Sequence, residues 1–272
     1  MLIVTYNVQW GMGRDRRIDL GRIAATVAAA DVIALQEVER NWRPQDWPDQ
    51  AERLAALLPG CDWVYGAAVD LAGGRPGLRR QIGNMVLSRR PVESARTLPL
   101  PARPVAGQVN DQQAITEAVT QGLRIYNTHL NYLEEDQRLD QAARLLTLIA
   151  EAPERGGAVT APGRTALGPE DEWIVLPDGR FPTMPEDAIL LGDFNCMPGS
   201  PTYRTIRAAG FADALELAGL APHEGVTFPG DALPLRLDHI FLGTTLAPRF
   251  RRAWIDAEAD GSDHQPVWLE LS

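Results

Sequence analysis

Lysine is missing from the 272 residues: all 26 basic side chains are arginine. Against 36 acidic residues they leave a formal net charge of -10 and a sequence pI of about 4.9. Binding along a polynucleotide or an anionic bilayer usually demands a basic face, so general attraction to either is not built in, and only a local arginine cluster could supply it. Cysteine is scarce too. Cys61 and Cys196 are the only two, which excludes a disulfide-rich scaffold and suits small buried apolar filler. Long apolar runs are also lacking: the stretch Met1 to Val8 has no basic flank and is too short for a signal peptide or a spanning helix. The expectation is a cytoplasmic protein with no membrane anchor. Repeats, heptads and low-complexity segments are absent.

What is present is an ordinary globular composition, 45% hydrophobic and 23% charged, enough for a sizeable core. Leu2 to Asn7 alternates and reads as a strand with Asn7 at its tip. Ile18, Ile23 and Val27 share one face of a helix over 18–30, and Asp31 to Gln36 is a short buried strand that delivers Glu37. This strand–helix–strand start predicts layered α/β architecture. A second helix is expected over Pro48 to Leu58, closed by Pro59-Gly60. Short strands then follow at 62–67, 84–88, 92–98, 113–120 and 123–130, resembling an antiparallel meander. Helical spacing returns over 134–150, a buried strand over 188–191, a short helix over 202–209, and closing strands near 236–242, 246–255 and 265–271.

More than thirty residues, about 153–185, lie between the long helix and the 188 strand. A loop of that length in a compact domain is usually functional or disordered. Within it, the Asp178-Gly179 turn between apolar flanks, Trp173 to Phe181, predicts a β-hairpin flap. A floppy surface insertion is the alternative.

Six polar clusters sit where short apolar strands stop. Gly192-Asp193-Phe194-Asn195 ends a buried strand with an acid and an amide two apart, which places both on the same side, and such a pair suits a hard cation and the water it activates. Ser262-Asp263-His264 sets a carboxylate beside an imidazole. Leu237-Asp238-His239 puts an ionisable pair in an apolar strand. Pleating sends the two to opposite faces, with Asp238 favoured for a site and His239 for a hydrogen-bonded core or surface role. The others are Asn127-Thr128-His129-Leu130-Asn131, Gln36-Glu37 and Tyr6-Asn7. Open sheets bind ligands at strand ends.

This ordered set, spread from residue 3 to residue 271, resembles the endonuclease/exonuclease/phosphatase superfamily of metal-dependent phosphoesterases. The resemblance implies a single α/β domain over 1–272 with an insertion at about 153–185: a four-layer sandwich, two mixed β-sheets face to face with helices on the outer faces. It implies Mg2+, for which Mn2+ may substitute, held by Glu37 with Asn7 beside it and Asp263 contributing. Asp193 would orient and deprotonate the attacking water, and Asn195 would hold that water or a phosphate oxygen. His264, paired to Asp238, would contact the scissile phosphate, and His129 would bind phosphate or assist the leaving group. Asn84 and Asn131 are candidate substrate contacts.

Gln112-Gln113 departs from the family where relatives often carry an arginine, which removes one expected phosphate contact. The acidic balance argues against a dedicated binder of long duplexes, and the expectation is a monomeric enzyme acting on a small-molecule phosphate ester or a nucleic-acid end, with the pocket narrowed by the insertion. A nuclease of weak sequence preference is the alternative, marked by a strip of Arg79, Arg80, Arg89 and Arg90 beside His264. A non-catalytic regulatory protein of the same fold is the third reading.

Overall fold

The computed structural model describes residues 1–43, 49–176, 179–182, 184–230 and 233–272. Pro48 and Asp178 of the sequence reading lie outside them. The first half of the chain forms β1 (Leu2–Asn7), α1 (Leu20–Val27), β2 (Val32–Arg40), α2 (Gln50–Leu57), β3 (Asp62–Ala72) and β4 (Arg79–Ser88). Next come β5 (Val92–Pro99), β6 (Ala114–Thr120), β7 (Leu123–His129) and α3 (Glu135–Arg155). The remainder is β8 (Ala188–Asp193), α4 (Pro201–Ala208), β9 (Ala212–Asp213), α5 (Ala214–Leu217), β10 (Asp238–Leu242), β11 (Phe250–Ile255) and β12 (Val267–Leu271).

Two six-stranded sheets result, in the orders β11-β12-β1-β2-β4-β3 and β5-β6-β7-β8-β10-β9. Both are mixed: β1–β2 and β7–β8 are parallel and the other pairs antiparallel. Ile3, Val32, Val86, Ala118, Ile125, Ile189 and Ile240 fill the space between the sheets. Ile23 and Val27 of α1 and Leu54 of α2 cover the outer face of the first sheet. Leu145 and Ile149 of α3, with Tyr203 and Ile206 of α4, cover the second. Helices, sheet, sheet, helices: the expected four-layer α/β sandwich is what forms.

Local chemistry sets the helix starts. Asp19 accepts hydrogen bonds from the Gly21 and Arg22 amides, Asp49 from Glu52, and Ser200 from Tyr203, with Pro201 in the first turn of α4. Each satisfies amides that the first turn leaves without a partner. Strands such as β1 are apolar on both faces because each sheet is covered on both sides.

Two expectations need correction. The middle strands are not one meander: β3 and β4 join the first sheet, while β5, β6 and β7 build the second. β4 is already paired on both edges, by β2 and β3, so β5 has no edge of β4 to join. The flap predicted over 173–181 also differs. Arg180 pairs with Ala166, and the Phe181 amide donates to Thr165, while Trp173 and Val175 are 80% and 91% exposed. These apolar flanks have no surface to bury against, so the pairing partner comes from upstream instead.

Backbone approach is closest at Gly192. Its φ is +140°, and a Cβ there would lie 1.9 Å from the Thr128 carbonyl oxygen on β7. Gly192→Ala is expected to cost about 3 kcal/mol of stability, as overpacking against backbone does, read as a lower denaturation midpoint. A midpoint within error of the parent would show that β7 and β8 can part without cost.

Candidate active site

Period-two alternation leads directly to the site. On β1, Ile3 faces the inter-sheet core, so Thr5 and Asn7 share its face. On β7 the same series reads Ile125, Asn127, His129, and on β8 it reads Ile189, Leu191, Asp193. The inner faces therefore change from apolar to neutral polar to ionisable towards one end of the sandwich. The neutral layer is bonded across the sheets, with Gln36 Oε1 alone left without a partner among its described atoms. Gln36 Nε2 donates to Thr5 and, at 2.7 Å, to Asn127 Oδ1, whose own amide donates to the Leu35 and Met85 carbonyls at 3.0 Å.

Glu37 reaches this end by another route. Simple pleating would turn it to the outer face beside Leu35. The register of β2 on β4 shifts between Leu35 and Val38, and Glu37 takes a left-handed φ of 58°. The bulge swings its carboxylate round to within 3.0 Å of Asn7 Nδ2, so Oε1 accepts that bond. Gln9, Trp10 and Asn195 also hold positive φ, and such backbone strain gathers at functional sites.

Asp193 is the hub. Its Oδ2 accepts from Asn7 Nδ2 at 3.0 Å and stands 3.6 Å from His129 Nε2 and 3.7 Å from His264 Nε2. His264 Nδ1 lies 2.8 Å from Asp238 Oδ2, and one atom each of Asp193, Asp238 and His264 falls within 4.8 Å of the others. Burial alone would lower the His264 pKa, but the charges of Asp238 and Asp193 override it and raise the value to about 10. Burial pushes Asp263 up, and the nearby Glu37 charge adds to that rise against the pull of His264.

Asn7, Glu37, His129, Asp193, Asp238 and His264 are thus brought together, with Asp263 joined to them through Gln9 and Ser262. Gln9 Nε2 donates to Asp263 at 2.6 Å, and Ser262 Oγ donates to the Asn7 carbonyl at 2.7 Å. Asn7 presents its amide nitrogen to both carboxylates, while its oxygen accepts from the Gln9 amide. Asn195 arrives differently from the pleating argument. β8 stops at Asp193, and the Asn195 amide donates back to Asp193 Oδ1 at 2.8 Å in a turn. Asn84 is buried beside the site. Asn131 does not face it: fully buried, it accepts from the Leu133 and Glu134 amides and donates to Asn110. A substrate contact there is corrected to a cap on the turn into α3.

His239 points away from Asp238, into the helix-covered layer, as pleating requires. Its Nε2 lies 2.9 Å from the Cys196 carbonyl and its Nδ1 3.2 Å from Asp213 Oδ2, which also accepts from Arg236 at 2.5 Å and Tyr203 at 3.0 Å. Burial opposes its charge, but the Asp213 and Cys196 bonds prevail and raise its pKa to about 10. This stabilisation is complete below pH of about 6.5, the ordinary imidazole value, and is lost as pH rises through about 10. The melting temperature should fall across that alkaline window, and His239→Gln should flatten the fall. An unchanged slope would discount the charge. Sequence reading missed this network, Gln9, and Thr227, whose Oγ accepts from the Leu237 and Asp238 amides. The acid at Asp213, just after Phe211-Ala212, was the available signal.

A family model described as Endonuclease/Exonuclease/phosphatase family matches residues 4–264. The chain belongs to the endonuclease/exonuclease/phosphatase family. Its members are metal-dependent phosphoesterases and nucleases. No curated protein matches the chain significantly by sequence. Among solved structures, an endonuclease/exonuclease/phosphatase from Beutenbergia cavernae is 22% identical with a TM-score of 0.70, over 100% of this chain and 72% of that one. A mannosyl-6-phosphatase from Bacteroides thetaiotaomicron is 18% identical with a TM-score of 0.66, covering 100% and 99%. A 3′ phosphatase from Neisseria, bound to product DNA hairpin, is 19% identical with a TM-score of 0.62, over 100% and 99%. At these identities the likeness concerns the fold. Among the described residues, no helix is long and apolar enough to cross a membrane.

Proposed function

We propose that this family member hydrolyses a phosphate ester of a small or end-presented substrate, by in-line attack of an activated water. The observation that carries this is the convergence of Asp193, His129 and His264 on one point beside Glu37. Glu37 and Asp263 would hold Mg2+ or Mn2+, with Asn7 orienting Glu37. The donor set fits: Glu37 and Asp263 offer oxygen ligands of hard character, and the two lie near enough for the Glu37 charge to add to the burial that raises Asp263. A bound Mg2+ would draw charge from the phosphate oxygens and lower the pKa of its water.

The residues of the chain do the rest. Asp193 accepts the proton of the attacking water, and Asn195, tied to it, holds that water or a phosphate oxygen. His264, kept protonated by Asp238, donates to a phosphate oxygen as negative charge develops. His129, on the Glu37 side, supports the phosphate or the departing oxygen.

Charge placement supports the small-substrate reading over the nuclease one. Arg79 is paired with Asp70 at 2.8 Å where β4 begins, and Arg89 donates to the Ala30 carbonyl where β4 ends. Both of these arginines are thus engaged elsewhere, and among the described residues no arginine is bonded to His264. Among the described residues, none of the insertion lines the cleft beside Glu37 and His129. The Gly157 carbonyl accepts from Arg96 on β5 and the Glu186 carbonyl from Arg124 at the start of β7, while His129 and Asp193 sit at the far ends of β7 and β8. The 153–185 segment leaves the sandwich at the opposite pole, and we read it as an insertion in a single domain.

An assay of p-nitrophenyl phosphate, bis-p-nitrophenyl phosphate, plain DNA and abasic DNA with Mg2+ and with Mn2+ tests the proposal. No turnover of any of them would favour a non-catalytic protein. Glu37→Gln keeps an acceptor for Asn7 but loses the charge, and should weaken Mn2+ binding by at least about tenfold, measured by calorimetric titration. The metal-free melting temperature should stay close to the parent's, and its collapse would contradict a ligand role.

A further inference from the structure

Beside Glu37 and His129 a cleft of about 240 Å³ opens, with walls from the β3–β4 hairpin and from the segment between β5 and β6. Trp10, Ile82, Asn84, Val109, Asp111 and Tyr132 line it. Because it shares Glu37 and His129 with the candidate active site, a phosphate held there has one ester arm directed into the cleft. We infer that this cleft receives the alcohol half of the substrate, and that it selects a small, uncharged, hydroxyl-bearing group such as a sugar or polyol. The inference rests on the phosphoesterase reading and adds to it the chemistry of the leaving group.

Three observations carry it. The first is charge. Among the described residues no arginine lines the cleft, while Glu37 and Asp111 do. Residues 44–48, nearby in sequence, contain no basic side chain. Arg43, which stacks over the Trp10 ring at 4.5 Å, is held by buried Glu39 at 3.1 Å. A second phosphate, as any polynucleotide would bring, would meet the Asp111 carboxylate with no arginine in the described lining to neutralise it.

The second is hydrogen-bonding polarity. Asn84 is 2% exposed and gives its amide hydrogens to the Ala114 and Asn127 carbonyls, leaving Oδ1 with no donor among the described residues. Asp111 accepts one bond, from Gln113, and keeps the rest of its carboxylate free. The cleft offers acceptors, and a ligand hydroxyl supplies the donors they lack. A quaternary ammonium has no such hydrogen, and one face of Trp10 is already covered by Arg43.

The third is size and rigidity. A volume of about 240 Å³ lies below the roughly 300–1,000 Å³ of pockets for drug-sized ligands, which suits a small group. Its walls are tied in place: Tyr132 donates to the Val109 carbonyl at 2.5 Å, and Gln112 donates to the Leu100 and Gln113 carbonyls at 2.6 and 2.7 Å.

The full chain with Mn2+ is assayed against p-nitrophenyl phosphate, glucose 6-phosphate, phosphocholine and a 3′-phosphorylated DNA hairpin. The kcat/KM for glucose 6-phosphate should exceed that for phosphocholine and for the hairpin by at least about tenfold, the worth of one bond to a charged acceptor. Asp111→Ala, at an exposed position, should raise KM for glucose 6-phosphate about tenfold while kcat changes by less than about twofold. Turnover of p-nitrophenyl phosphate with the hairpin or phosphocholine preferred, or an unchanged KM in the variant, overturns the inference and leaves the phosphoesterase reading intact. Loss of all four activities overturns that reading itself.

Discussion

Asp193→Asn is expected to lower kcat about a thousandfold, within the range that a positioned general base contributes. The amide keeps the size of the side chain and an oxygen for the Asn195 amide, so the turn after β8 survives. What disappears is the proton acceptor between His129 and His264. Binding should change far less, so single-turnover rates with p-nitrophenyl phosphate are the measurement. A fall of less than about tenfold would leave the proton to another group and take Asp193 out of that role.

His264→Ala should lose about 2.7–4 kcal/mol of barrier lowering, the loss seen when one donor to a developing oxyanion is removed. It should also destabilise the fold. Asp238 is fully buried, its Oδ1 has no geometric hydrogen-bond partner among the described residues, and its Oδ2 lies 2.8 Å from His264 Nδ1. Removing one member of a buried pair commonly costs about 3–5 kcal/mol, because the remaining charge has neither water nor a counter-charge. The double variant His264→Ala with Asp238→Asn separates the two effects: stability should return in part while activity stays low. Recovery of activity in the double variant would mean that His264 only packs against Asp238.

The two losses differ because the residues sit differently in the sandwich. Asp193 is at the mouth of the inter-sheet space, where several donors converge and one carboxylate can change without exposing the core. His264 is held by a partner deeper in, on β10, so catalysis and folding share the same bond.

Much of this was legible in the chain. Asn7, His129, Asp193 and Asp238 each continue, at a spacing of two, an apolar series that faces the inner core, and a strand with both faces buried leaves only its tip for chemistry. The opposite facing of Asp238 and His239 follows from the same pleat. Glu37 and Asn195 were expected at strand ends, but the pleat is not what brings them in. Both have left-handed backbone that no local propensity announces for a glutamate, and both reach the site because a bulge or a turn breaks the alternation. Asn131 shows the converse, since its place near His129 suggested substrate, yet the turn before α3 takes its oxygen and Asn110 its amide.

By itself, the sequence determined the elements, the layered α/β class and the ionisable residues at the strand ends, because alternation and capping act over a few residues. Only the tertiary structure decided which sheet each middle strand joined, where the bulge turned Glu37, and which loop walls the cleft. Those outcomes depend on which edges remain unpaired and on contacts between segments over a hundred residues apart, such as Asn7 with Asp193. Local pattern carries no information about them.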